Sequence, residues 1–302
     1  MKYIDISFSN EQEKIDFVKN CELDFEKRLS DVSSRVVKAK AESLLLAGPT
    51  CAGKTTTANK IISDFAENGR EVTVISFDDF FKPRTQQRSI VGNEDLDYDS
   101  VNALDIEALT KCVNQARQGK KGKIPHYDFI TQSISHYKDF DINENGVVIF
   151  EGIQAVYPEI TKLFKNRDYV GVFINVDDDI VINGEFFSRD DIRLSRRIVR
   201  DYKFRGASAE FTLFLWDKVR KNEDNSIYPY KNEICKIQLN SFMDYELFLL
   251  KDYIVDILDE VEENSKYYDK AKELKEKFLK LDSISYDYVP KNSLYVEFLG
   301  KK

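Results

Sequence analysis

Leu44-Leu45-Leu46-Ala47-Gly48-Pro49-Thr50-Cys51-Ala52-Gly53-Lys54-Thr55 is the stretch on which the fold turns. An apolar run leads straight into G-x-x-x-x-G-K-T, and Thr56 to Phe65 continues with helical character, so a buried strand is expected to pass through a tight loop into a helix. Glycine is needed where backbone must bend sharply and approach phosphate oxygens; successive N–H groups and the positive end of the helix then hold the anion. Gly48, Thr50, Cys51, Ala52, Gly53, Lys54, Thr55 and Thr56 are therefore candidate nucleotide-binding residues. In such a loop the lysine reaches the β and γ phosphates and the hydroxyl of Thr55 ligands Mg²⁺, which implies ATP and Mg²⁺. The loop alone does not separate a kinase from a GTPase, a transporter ATPase or a motor, although the N-K-x-D element of GTPases is absent from the sequence.

Outward from the loop, Val72 to Phe77, Val147 to Phe150 and Val170 to Val176 read as further buried strands with helical stretches between them. Strands alternating with helices predict a doubly wound, mostly parallel α/β sheet of the P-loop NTPase kind, with helices on both faces. Residues 1–41 read as a helical N-terminal arm. Its apolar stripe comprises Ile15, Phe17, Val18, Leu23, Phe25, Leu29, Val32 and Val36, and Ser9 with Gln12 suggests a capping box. Residues 42–262 read as the core, with a small insertion over about 83–140 and an arginine-rich lid over about 188–206. Residues 263–302 read as a helical extension and tail.

The chain has 302 residues and is 42% hydrophobic, enough for a normal core. Its net charge of −8 gives no general attraction for nucleic acid or anionic membranes. No apolar h-region opens the sequence and no stretch is long enough to span a bilayer, so the cytoplasm is the expectation. Cys21, Cys51, Cys112 and Cys235 lack paired spacing, which suits a reducing compartment and argues against a zinc site. A small-molecule partner is expected, and a homo-oligomer is left open.

Four more stretches resemble the uridine kinase and phosphoribulokinase family: Ser76 to Lys82, Pro125 to Phe129, Phe150 to Ile153 followed by Tyr157, and Arg193 to Asp201. Their order and spacing match from about residue 43 to about 215. The resemblance implies an ATP-dependent kinase in which Asp78 faces the acceptor hydroxyl and takes up its proton, with Asp79 as the adjacent rival. It makes Glu151 an acid of the Mg²⁺ shell. Arg193, Arg196, Arg197 and Arg200 share a face of a helix opened by Ser188 and Asp191; the arginine fork suits phosphate oxygens, and Arg193 and Arg197 are the foremost catalytic candidates. A solvated basic face is the alternative. Asp99 matches the position associated with ribose hydroxyls. Tyr127 and Phe129 form either an aromatic wall for a base or part of the core, and Phe81 stands where the family has a tyrosine.

Uridine-cytidine kinases usually follow Tyr-Asp-Phe with a histidine and an arginine that read the pyrimidine; Gln132 and Ile134 stand here, and Gln132 keeps hydrogen-bonding capacity. Trp216 to Val219, Asn240-Ser241 with Tyr245-Glu246-Leu247, and Asn292-Ser293-Leu294 with Glu297 to Gly300 look like a bacterial uridine-kinase-like branch, with Val296 at a position where that branch tends to have arginine. Three functions stay open on these residues: phosphoryl transfer to the 5′-hydroxyl of a nucleoside, the same chemistry on another small alcohol or sugar phosphate, and a non-catalytic ATP-binding module.

Overall fold

The computed structural model describes residues 1–86, 100–143, 145–164 and 169–301. In chain order the main elements are β1 (Lys2–Ile4), α1 (Glu11–Lys38), β2 (Ser43–Ala47), α2 (Lys54–Glu67), β3 (Val72–Ser76), α3 (Ile106–Arg117), β4 (Gly122–Asp128) and β5 (Ser133–Phe140). There follow β6 (Val147–Glu151), β7 (Tyr169–Asn175), β8 (Ile180–Ile182), β9 (Glu185–Phe187), α4 (Arg189–Arg205), α5 (Ala209–Ser226), β10 (Ile237–Asn240), α6 (Glu246–Asp259) and α7 (Tyr268–Leu279).

Five strands form a wholly parallel sheet in the order β10-β7-β2-β6-β3. All five residues of β2 are buried, as a central strand covered on both faces requires. Its side chains alternate between two cores: Leu44 and Leu46 join the one beneath α1, α2, α4 and α6, while Leu45 and Ala47 join the one beneath α3 and the β4–β5 hairpin. This order brings the carboxyl ends of β2, β6 and β3 side by side, the edge at which open α/β sheets bind ligands.

The insertion is an antiparallel β4–β5 hairpin preceded by α3. The arm is a helix, but its cap lies one residue beyond the expected box: Asn10 is the N-cap and accepts from the Glu13 amide at 3.0 Å, while the Glu13 carboxylate accepts from the Ser9 amide at 2.7 Å. Val18, Phe25, Leu29, Val32 and Val36 are buried as expected, and Leu23 is 47% exposed. The sequence reading missed a small sheet in which β1 runs parallel to β8, and β8 turns back into β9 through Asn183-Gly184 in the left-handed region. Strands of three residues carry too little periodicity to be recognised. The segment read as a lid is anchored: Ile192, Leu194, Ile198 and Val199 of α4 are buried in the main core, a Ser188–Asp191 capping box starts the helix and left-handed Gly206 ends it. Ala271, Leu274 and Phe278 of α7 share that core.

Candidate active site

The loop after β2 is built by close approach. A Cβ at Gly48 would lie 2.3 Å from the Ile174 carbonyl oxygen, so only glycine lets the loop leave the sheet there. Cys51 and Gly53 have φ of 56° and 95°, and alternation of left- and right-handed residues turns successive amides inward into an anion nest. The Lys54 ammonium donates to the Gly48 and Pro49 carbonyls at 3.2 and 3.1 Å, which bends it back over the loop. Thr57 donates to the Gly53 carbonyl at 3.0 Å and stiffens the first turn of α2, while Thr55 stays exposed. The nest, the lysine and the free hydroxyl fit a nucleotide polyphosphate.

Asp78 sits in the helical turn after β3, open to solvent at the floor of the cleft yet crowded by protein. That enclosure pushes its pKa up, Lys54 and Arg205 oppose the rise, and Asp79 adds to it. Asp79 is committed elsewhere: its Oδ1 accepts from the Tyr127 amide at 3.3 Å and pairs with His126 Nδ1 at 3.1 Å, fixing the hairpin. Of the two neighbours, Asp78 is the one facing Lys54. Glu151 ends β6 beside them, with its pKa raised first by burial and then by Asp78, against the pull of Lys54 and a Ser76 hydrogen bond. Among the described residues no group of three or more His, Cys, Asp or Glu is arranged to hold a metal. A Mg²⁺ ion at Thr55 and Glu151 would draw most of its ligands from phosphate and water, as that ion commonly does.

The arginines divide differently from the sequence reading. Arg193 is fully buried; its fork is taken by Glu223 at 2.7 and 2.8 Å, Asp190 lies at 3.1 Å, and Trp216 packs over the guanidinium. Its fork is thus engaged by a carboxylate of the next helix, a partner that a helical face alone does not reveal. Arg196 is fully buried too, paired with Glu246 at 2.5 and 2.6 Å. It touches the loop from behind, donating to the Cys51 carbonyl at 3.0 Å, so it positions the loop's backbone from its buried side. Arg197, Arg200 and Arg205 converge on Asp201 at 3.2, 2.7 and 3.5 Å. Of these, Arg200 and Arg205 also place charge against Asp78, and Arg205 was absent from the foremost candidates.

Where the β4–β5 hairpin meets the turn after β3, Phe81, Tyr127 and Phe129 pack edge to face, with ring centres 5.2 to 5.9 Å apart. Phe81 and Tyr127 are buried in the second core, as the core alternative for Tyr127 has it. Phe129 is 46% exposed, and the Arg205 guanidinium lies over its ring at 5.8 Å. Gln132 occupies the hairpin turn at φ 53°, and its side-chain oxygen accepts from Arg84 at 2.5 Å. Asp99 lies outside the described residues.

The sequence reading also missed the reach of the C-terminal segment. Leu294 lies against Gly53, where a Cβ would come within 2.3 Å of its Cδ1. Glu297, raised by burial, feels Lys54, Arg200 and Arg196 as opposing charges, and the Thr56 amide faces its carboxylate. The Tyr295 hydroxyl donates to Glu246 at 2.8 Å, and the Phe298 ring lies 5.3 Å from the Arg196 guanidinium. The only signal was the run Asn292 to Gly300, read as a mark of kinship without a place in space.

The sequence model of the Phosphoribulokinase / Uridine kinase family matches residues 44–238. "Uridine-cytidine kinase A" of Dictyostelium discoideum is 32% identical over 185 residues, covering 61% of this chain and 33% of that protein. "Uridine kinase" of Saccharomyces cerevisiae is 29% identical over 186 residues, covering 61% and 34%. The chain therefore spans about a third of the length of these two curated relatives. "Uridine kinase" of Ureaplasma urealyticum is 28% identical over 218 residues, covering 71% of this chain and 96% of that protein. The solved structure of a possible uridine kinase from Bacillus stearothermophilus gives a TM-score of 0.48 at 20% identity over 72% of this chain and 99% of that one. The family match runs over more than half of the sequence and contains the phosphate loop, Asp78, Glu151 and α4, so the chain belongs to the phosphoribulokinase / uridine kinase family.

Proposed function

We propose that this chain transfers the γ-phosphoryl group of ATP to the 5′-hydroxyl of a nucleoside. The observation that carries the reading is Asp78, whose carboxylate faces Lys54 across the phosphate loop, with the Phe129 wall beyond it. The relatives' names supply the acceptor class.

Each side chain then has a task. The amides from Thr50 to Thr56 hold the polyphosphate, Lys54 neutralises the transferring group, and Thr55 with Glu151 holds Mg²⁺, which supplies charge neutralisation when bound. Asp78 orients the acceptor hydroxyl and accepts its proton as the oxygen attacks. Arg200 and Arg205, with Arg197 beside them on Asp201, stabilise negative charge on the phosphoryl oxygens. Asp99 is the candidate for the sugar hydroxyls.

A second reading keeps this machinery with another small alcohol or a sugar phosphate as acceptor. It is favoured by one observation: Gln132 is engaged by Arg84 and its neighbour Ile134 is apolar, so neither stands as a free base-reading group. A non-catalytic binder has no use for an acid poised opposite Lys54. The test is a panel of pyrimidine and purine nucleosides with Mg²⁺-ATP, followed by small alcohols and sugar phosphates, with product detected by mass spectrometry. A phosphorylated nucleoside is expected. Product only from non-nucleosides establishes the second reading, and tight ATP binding without any product supports the regulatory one.

A further inference from the structure

A nucleoside triphosphate laid on this loop with its γ end at Asp78 and Lys54 extends its sugar and base away from them, and Thr55 and Thr56 border one way out. On that side lies a cavity of about 900 Å³ between α1, the first turns of α2 and the C-terminal segment. We propose that this cavity holds the nucleoside of the phosphoryl donor, which makes the N-terminal helix and the C-terminal segment, both outside the 44–238 match, parts of the donor site. The inference rests on the reading of the loop as an ATP site.

Three features support it. The cavity is continuous with the phosphate loop, since Thr55 and Thr56 line both. Its volume falls within the range of about 300 to 1,000 Å³ usual for sites that enclose small ligands. Its lining suits a nucleoside: Ile15, Leu23 and Val296 offer apolar walls to the faces of a base, while Asn59 and Asn292 offer carboxamides that donate and accept at its edge. A further observation points to a ligand. Glu297 lines the cavity, and its Oε2 is buried without a hydrogen-bond partner among the described residues. A buried carboxylate oxygen is costly when unpaired, and a sugar hydroxyl supplies the missing donor. The wall is also rigidly backed: Tyr295 is bonded to Glu246, and Tyr245 donates to Glu22 of α1, which ties the two terminal segments to one buried network.

The experiment compares Mg²⁺-ADP with Mg²⁺-tripolyphosphate, which carries phosphates and no nucleoside, by calorimetry on the full chain. Leu23→Trp and Val296→Trp fill the cavity; Leu23 is half exposed, so its replacement leaves folding intact even if the other variant melts early. The expected result is ADP binding at least tenfold weaker in the variants, with tripolyphosphate unchanged within twofold. Photolabelling with 8-azido-ADP is expected to mark peptides from residues 11–38 or 288–301. Label found only elsewhere, or ADP affinity unchanged in both variants, overturns the proposal while leaving the loop reading intact. Wild-type protein that binds tripolyphosphate without gaining from the nucleoside overturns it as well. Wild-type protein that binds neither probe overturns the loop reading, and the donor site with it.

Discussion

At the scale of single residues, the division of labour between Asp78 and Asp79 is the sharpest feature of the site. Asp79 fixes the hairpin through Tyr127 and His126, which leaves Asp78 as the one of the two neighbours that faces Lys54. Replacing Asp78→Asn is expected to lower kcat by roughly 10² to 10⁴, the usual contribution of a general base, with little change in ADP affinity. Because enclosure holds the Asp78 pKa above the ordinary carboxylate value, kcat/KM is expected to rise with pH through that elevated value and then level off. A profile unchanged between wild type and Asp78→Asn would assign the base elsewhere. Lys54→Met is expected to cost about 10² to 10³ in kcat, like the loss of one preorganised donor to developing charge. The sequence made these residues legible because glycine, lysine and acid spacing at a strand end reflects local backbone demands. Arg193 was not legible: its partner Glu223 lies on the following helix, and no rule of spacing within α4 reveals it.

Among the elements, the joint that matters most is between α4 and α6. Arg196 and Glu246 are both fully buried, and Glu246 also accepts from Tyr295 while Arg196 reaches the Ser241 and Cys51 oxygens. Removing one partner strands a buried charge, so Glu246→Ala is expected to cost about 3 to 5 kcal/mol. In thermal melts this amounts to a fall on the order of 10 °C. A loss below about 1 kcal/mol would show the pair to be solvated and the joint weak. The long apolar runs made four of the five central strands visible in advance, since burial on both faces leaves little choice of residue. β10 and β1 were not visible because partners distant in sequence stabilise them, and β8 and β9 because three residues carry too little periodicity. The arginine segment showed its cap and its face, but its anchoring depends on core packing that the helix pattern alone did not weigh.

For the whole molecule, three acids around the phosphate loop, Asp78, Glu151 and Glu297, have pKa values raised chiefly by the protein that encloses them. A raised folded-state pKa means that the folded form binds the proton more tightly than the unfolded one. Stability from this source is fully present below the ordinary carboxylate range and is lost as pH rises through the elevated values. At neutral pH the ionised acids therefore oppose folding, in a chain whose net charge is already −8. Glu151→Gln is expected to raise Tm at pH 7 while lowering activity, with the gain in Tm shrinking as pH falls through the carboxylate range. A lower Tm at every pH would show that the Ser76 contact outweighs the burial cost.

The packing of Leu294 on Gly53 also sets a clock. Roughly 240 residues separate the two, so at translation rates of about 5 to 20 residues per second the loop leaves the ribosome some ten to fifty seconds before its cover. The loop must also wait for β7, whose Ile174 packs on Gly48, so its shape is complete before its cover arrives and after its own residues have emerged.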